Sequence, residues 1–158
     1  MRKSQAALEF LTTYGWAFLV ILIMIGALAY FGVLNPSNLL PPRCMFSPEI
    51  QCLEHQIRSS VGGSGNLSFR VRNNVGQTAT FTFNATDIAT NAWCASGSVT
   101  DGGVDIKAGG IMQVNCTFPS TLSLPAGDKR KFQVSATYKK SGGSYNTPVS
   151  GEIYGEIQ

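Results

Sequence analysis

The side chains able to do chemistry fall into a few groups. Cys44, Cys52, Cys94 and Cys116 carry thiols, and His55 is the one imidazole. Asn66-Leu67-Ser68, Asn84-Ala85-Thr86 and Asn115-Cys116-Thr117 are Asn-x-Ser/Thr sequons. Glu9 stands at the head of a long uncharged run. Thiols can hold zinc or pair with one another. Zinc sites of the common kinds need closely spaced Cys or His pairs, and no Cys-x-x-Cys is present and His55 has no second histidine near it. Neither a metal nor a cofactor is expected. Four cysteines in an exported domain read as two disulfides, with three connectivities open. Cys44–Cys52 and Cys94–Cys116 are favoured. The first closes a small loop around Phe46-Ser47-Pro48 and locks the neck to the domain; the second ties a mid-domain loop to a strand.

Catalytic patterns are missing from the sequence. There is no nucleophile elbow, no glycine-rich loop between strand and helix, and no convergent pair of carboxylates. The chain is not expected to be an enzyme. Asp101 and Asp105 flank glycines but lack the spacing of a calcium loop, so a turn is expected there. Lys129-Arg130-Lys131 reads as a solvated edge that resists aggregation. Tyr154 reads as a half-exposed edge aromatic.

The elements that must position these groups are of two kinds. From Phe10 to Pro42 no residue is charged, and Tyr14 to Leu34 is almost wholly apolar or small. A helix of roughly 20 uncharged residues spans a bilayer core. Arg2 and Lys3 precede the run and no cation follows until Arg43, which places Met1 in the cytoplasm and the rest of the chain outside. The helix is expected from Gln5 to Leu34, ended by Asn35-Pro36 because the residue before proline is pushed out of the α region. It is apolar all round, which suits lipid or a bundle of identical helices. Gly26, Ala27, Ala29 and Gly32 let neighbouring backbones approach. An ordinary secretory signal cut after Ala27-Leu28-Ala29 is the competing reading; the apolar run continuing through Leu34 is too long for it.

Beyond Pro42 the pattern has a period of two, the mark of half-buried strands. Leu67, Phe69 and Val71 alternate with Ser68, Arg70 and Arg72. The same holds around Phe81 and Phe83, around Met112 and Val114, around Phe132 and Val134, and in the last segment, where Val149, Ile153 and Ile157 share a face with Gly151 and Gly155. A further strand is expected at residues 53–58. Gly and Asn clusters at 62–65, 73–76, 101–103 and 141–144 mark the turns. The fold class is α+β: a long N-terminal hydrophobic helix, then an extracellular antiparallel β-sandwich-like domain. Each sequon Asn falls on the polar phase of its strand, so Asn66, Asn84 and Asn115 are glycosylation candidates. Removing Arg2 and Lys3 leaves ten basic side chains against nine acidic ones, which gives no basis for a nucleic-acid partner.

Lys3-Ser4-Gln5-Ala6-Ala7-Leu8-Glu9, with the following Leu11-Thr12-Thr13-Tyr14-Gly15-Trp16-Ala17, resembles the start of archaeal type IV pilins with class III signal peptides. Ala7 stands where that family often has Ser, and Thr13 where Leu is usual. The resemblance covers residues 2 to about 35. It implies cleavage between Ser4 and Gln5 by a prepilin peptidase and assigns the family's assembly glutamate to Glu9. The implied organisation is a leader at 1–4, a membrane or filament-core helix at 5–35, a Pro-rich linker at 36–43 and the β-domain at 44–158. The implied partners are identical subunits in a homopolymeric filament, the prepilin peptidase, the pilus assembly machinery and the membrane. The resemblance also implies a subunit that waits at the cell membrane before assembly and lies in a surface filament afterwards, with adhesion or attachment expected. A singly anchored receptor or binding module that does not polymerise is the alternative.

Overall fold

A computed structural model describes residues 2–31, 40–59, 64–94, 96–101 and 105–158. The chain divides into two units, Met1–Leu40 and Pro41–Gln158. The first holds one helix, α1 (Arg2–Tyr30). It begins at Arg2 rather than Gln5, since residues 2–5 are good or neutral helix formers and contain no breaker. Phe31 already belongs to a turn, while the expected helix end at Leu34, Gly32 and Asn35-Pro36 lie outside the described residues. Ala7–Tyr30, 24 residues, is long and apolar enough to cross a membrane by length and composition.

The second unit is a β-sandwich. Its strands are β1 (Arg43–Phe46), β2 (Ile50–Arg58), β3 (Asn66–Asn73), β4 (Ala79–Asp87), β5 (Ser96–Asp101), β6 (Ile111–Thr117), β7 (Lys129–Lys140) and β8 (Asn146–Glu156). They form two four-stranded sheets, in the order β1-β8-β7-β4 (sheet A) and β2-β3-β6-β5 (sheet B). Every named strand pair is antiparallel. The alternating apolar positions read from sequence all turn inward: Leu67, Phe69 and Val71 of β3 and Phe132 and Val134 of β7 are essentially inaccessible. Aromatic rings join the layers, with Phe69 and Phe83 edge-on at 5.7 Å and Phe118 and Phe132 tilted at 5.1 Å. Fully burying a large apolar side chain contributes roughly 1.5–3 kcal/mol, so these rings dominate the cohesion between sheets.

Two strands have no counterpart in the sequence reading. β1 is only four residues long and follows two prolines. β5, Ser-Gly-Ser-Val-Thr-Asp, is too polar and glycine-containing to alternate. β7 also corrects an expectation: it lies between β8 and β4, so Lys129-Arg130-Lys131 opens an inner strand and not an edge.

The sandwich is closed on both open sides. On one, Cys44 of β1 in sheet A is bonded to Cys52 of β2 in sheet B, with Cα atoms 6.0 Å apart. On that same side the chain end leaves β8 and joins β2: Ile157 bridges Ile57 in parallel, and the Gln158 N–H donates to the Ile57 carbonyl at 2.9 Å. On the other side the Cys94 N–H donates to Ala85 O of β4 at 2.9 Å, which places Cys94 against sheet A. Its disulfide runs to Cys116 of β6 in sheet B, Cα to Cα 5.5 Å.

The inner face of β8 has room for its neighbours because two of its inward positions are glycines. A Cβ at Gly151 would collide with the Phe46 ring, and one at Gly155 would lie 3.0 Å from His55 Nε2 and 3.2 Å from Ile57 Cδ1. Asn73 is fully buried at the end of β3. Its Nδ2 donates to Gln77 O, Ile106 O and Lys107 O at 2.9, 2.8 and 3.2 Å, and its Oδ1 accepts from Val75 N–H at 2.9 Å. One amide thereby pins the β3–β4 turn to the loop before β6.

Candidate assembly and modification sites

The proposed cleavage point, Ser4-Gln5, lies within α1, as does Glu9. Glu9 is exposed, and among the described residues it forms no ion pair. Its backbone carbonyl accepts the hydroxyls of Thr12 at 3.0 Å and Thr13 at 2.8 Å. Such back-bonding hides two hydroxyls that would otherwise be costly in an apolar medium. The rest of the helix is a sleeve of exposed apolar groups, Phe18, Leu22 and Ile25 among them. A cylinder of this kind in water is unstable until lipid or other helices cover it.

Both disulfides cross between sheets, and no free cysteine is present among the described residues. The two differ in access. Cys94 and Cys116 are buried, while Cys44 and Cys52 are half-buried. No group of His, Cys, Asp and Glu capable of holding a metal occurs among the described residues. Asp105 accepts Thr80 Oγ1 at 2.8 Å, so its carboxylate ties a loop to β4; residues 102–104 lie outside the described ones.

The sequons hold a relation the linear sequence hides. Asn66 is opposite Thr117, Leu67 opposite Cys116 and Ser68 opposite Asn115. Two sequons therefore lie antiparallel to each other on the outer face of sheet B, each Asn facing the hydroxyl residue of the other. Ser68 Oγ donates to Asn115 Oδ1 at 2.8 Å and to Asn66 Oδ1 at 3.4 Å. Asn84 is exposed on the outer face of sheet A, opposite Ser135.

Charge at the start of β7 is matched by acids. Lys131 Nζ and Arg43 Nη2 grip the two carboxylate oxygens of Glu152 at 2.7 and 2.6 Å. The Lys131 hydrogen bond, with Arg43 adding to it, holds Glu152 below the ordinary carboxylate range against a smaller opposing effect of burial. Arg130 reaches the fully buried Asp87 at 3.4 Å, and Asp87 Oδ2 also accepts the Thr90 hydroxyl at 2.6 Å. Partial burial pushes the His55 imidazole below its ordinary pKa, and a hydrogen bond to the Tyr154 backbone offsets part of that. Tyr154 corrects its expectation, being only 6% exposed. It lies in register between Arg43 and Lys131, whose long stems suit them to cover a ring.

No protein-family model matches the chain, and no curated protein matches it in sequence. Solved structures similar to the chain include the GAE domain of yeast GGA1, at 14% identity and TM-score 0.40 over 73% of this chain and 99% of that one. Two pilus proteins are also similar. The CooA pilin subunit of enterotoxigenic Escherichia coli shares 8% identity at TM-score 0.34, over 70% of this chain and 99% of that one. AggA, the major subunit of aggregative adherence fimbriae type I of Escherichia coli, shares 7% at TM-score 0.30, over 75% and 95%. At these values the likenesses concern the general strand layout and say nothing of activity.

Proposed function

We propose that this chain is a structural subunit of an archaeal type IV pilus-like surface filament, with no catalytic role of its own. The observation that carries the reading is the union of two features. The Lys3-to-Glu9 motif stands immediately before a helix whose apolar surface is exposed around its whole circumference. In this reading a prepilin peptidase removes residues 1–4, α1 waits in the membrane, and the assembly machinery transfers it into a core of identical helices. There its apolar surface is covered again and Glu9 pairs with the new α-amino group of a neighbouring subunit. The doubly stapled sandwich forms the outer surface, and its outward sequons Asn66, Asn84 and Asn115 carry glycans. Attachment is the role that fits a polar, rigid outer layer.

The N-terminus of mature protein tests this reading. Mass spectrometry is expected to find Gln5, or its pyroglutamate, at the start of the chain. A start at Tyr30 sinks it in favour of ordinary secretion. A Gln5 start with no filaments visible by electron microscopy of overexpressing cells leaves a processed, singly anchored binding module.

A further inference from the structure

The outer face of sheet A changes character along its length. Toward the β7–β8 turn it presents hydroxyls and amides: Thr82 opposite Thr137, then Asn84 opposite Ser135. Toward the start of β1 two neighbouring rows differ. One runs from Arg43 through Tyr154 to Lys131, whose carbonyl accepts the Ile88 N–H at 3.2 Å. The other runs Met45, Glu152, Gln133, Thr86 and Trp93 in register. Residues opposite one another put their side chains on one face of the sheet. Trp93, Met45 and Ile88 are 62, 61 and 45% exposed. Met45 and Ile88 flank a groove of about 560 Å³ that Arg43, Lys131 and Glu152 also line.

We infer that this end of sheet A is a lipid-contact surface, resting on anionic headgroups of the bilayer that α1 crosses. The composition is that of a membrane interface: an indole, the apolar side chains of Met45 and Ile88, and three cations, Arg43, Lys131 and Lys129, against two carboxylates, Glu152 and Glu156. The charge is complementary, because Glu152 neutralises only one of Arg43 and Lys131. The tether is short. Residues 31–42 separate α1 from β1, twelve in all, and an extended chain of that length reaches only about 40 Å. The surface therefore meets headgroups at high effective concentration. The loop holding Ile88 and Trp93 is rigid, since Asp87 clamps Thr90 and Cys94 is covalently bound, so little ordering is required on contact. The inference rests on α1 being membrane-inserted and is independent of polymerisation.

The test uses the full chain in nanodiscs of phosphatidylcholine, alone or mixed equally with phosphatidylglycerol. A Trp16→Phe protein reports Trp93, and a Trp93→Phe protein reports Trp16. In the mixed discs, lipids brominated high on the acyl chain are expected to quench Trp93 and protect it from acrylamide. Lys131→Gln should lower that contact about fivefold, the worth of one cation at an anionic surface, and Ile88→Ser should lower it as well. Lys139→Gln, the same charge change at the far end of the face, should leave it unaltered. Trp93 equally open to acrylamide in both kinds of disc overturns the inference. So does Trp93 shielded without lipid quenching, which would place another copy on this face. Trp16 unquenched by deep bromolipids overturns the membrane anchor itself, and the lipid contact with it.

Discussion

Replacing Asn73 by alanine tests whether one buried amide organises the end of the sandwich. The side chain makes four hydrogen bonds, but their loss is unequal. Ile106 O keeps the Ala79 N–H at 3.0 Å and Lys107 O keeps the Gly110 N–H at 2.9 Å. Gln77 O and Val75 N–H lose the side-chain partner that Asn73 gives them. Both hydrogen bonds are only part-buried, with Gln77 exposed and Val75 half-buried, so water replaces some of what is lost and Asn73→Ala is expected to cost about 1–3 kcal/mol. Asn73→Asp keeps the acceptor for Val75 but turns a carboxylate toward three carbonyls. It should be worse than alanine at neutral pH and recover as the solution is acidified toward the carboxylate range, where protonation restores a donor. Urea unfolding of the full chain in detergent, followed by Trp93 emission in a Trp16→Phe background, measures both. A cost below about 1 kcal/mol for Asn73→Ala, or an aspartate as stable as alanine at pH 7, would refute the reasoning.

Further outcomes are expected beside it. Graded reduction with alkylation and peptide mapping should modify Cys44 and Cys52 before Cys94 and Cys116, because the first pair is more accessible. Replacing the Cys94–Cys116 pair by serine should cost about 3.4 kcal/mol against about 2.5 for Cys44–Cys52, from loops of 22 and 8 residues in the chain-entropy account; reversed order would argue that strain or local structure outweighs loop closure. Gly151→Val should destabilise by about 1–3 kcal/mol through overpacking against Phe46, and a second change, Phe46→Ala, should return part of it if the ring is the obstacle. His55 favours its neutral form when folded, so stability holds above pH ~6.5 and falls as pH drops below it, because the unfolded chain then binds the proton more readily; His55→Gln should flatten that part of the unfolding profile. Glu9→Gln should insert and fold normally yet enter filaments poorly at matched membrane levels. Wild-type filament yield would leave Glu9 as a simple helix-start acid, and pyroglutamate at Gln5 would remove its partner amine even in a true pilin.

Where one face of a strand is buried and the other wet, the sequence states the strand outright. Phe69, Phe83, Val114 and Val134 sit inside because their neighbours on both sides in sequence are polar, and the sheets follow. β1 and β5 are edge strands, where little apolar surface is buried and backbone pairing alone defines the element, so no alternation announces them. The opposed sequons of β3 and β6 depend on strand register, which the period of two does not fix between distant segments. Tyr154 misleads for a related reason: phase gives the face of the sheet, and burial also depends on what lies over that face. The resemblance of Lys3-to-Glu9 to a processing motif is local, carried by a handful of adjacent residues and independent of the fold.

Cys44–Cys52 has a mechanical meaning. Tension arriving along the chain from the helix side meets the disulfide one residue into β1. It crosses the sulfur atoms directly into β2, and residues 45–51 become slack. The four-residue ladder of β1 on β8, a weak seam to pull on, is thereby spared after its first rung. The first extended seam to feel the load is the longer register of β2 on β3, from Cys52–Val71 to Arg58–Asn66. A chain stretched with this bond reduced would lengthen by about 20 Å before reaching the same seam, because the extended stretch from Cys44 to Cys52 replaces a Cα–Cα crossing of 6.0 Å. For any load applied from the helix side, the small loop is a force bypass at the entry to the domain.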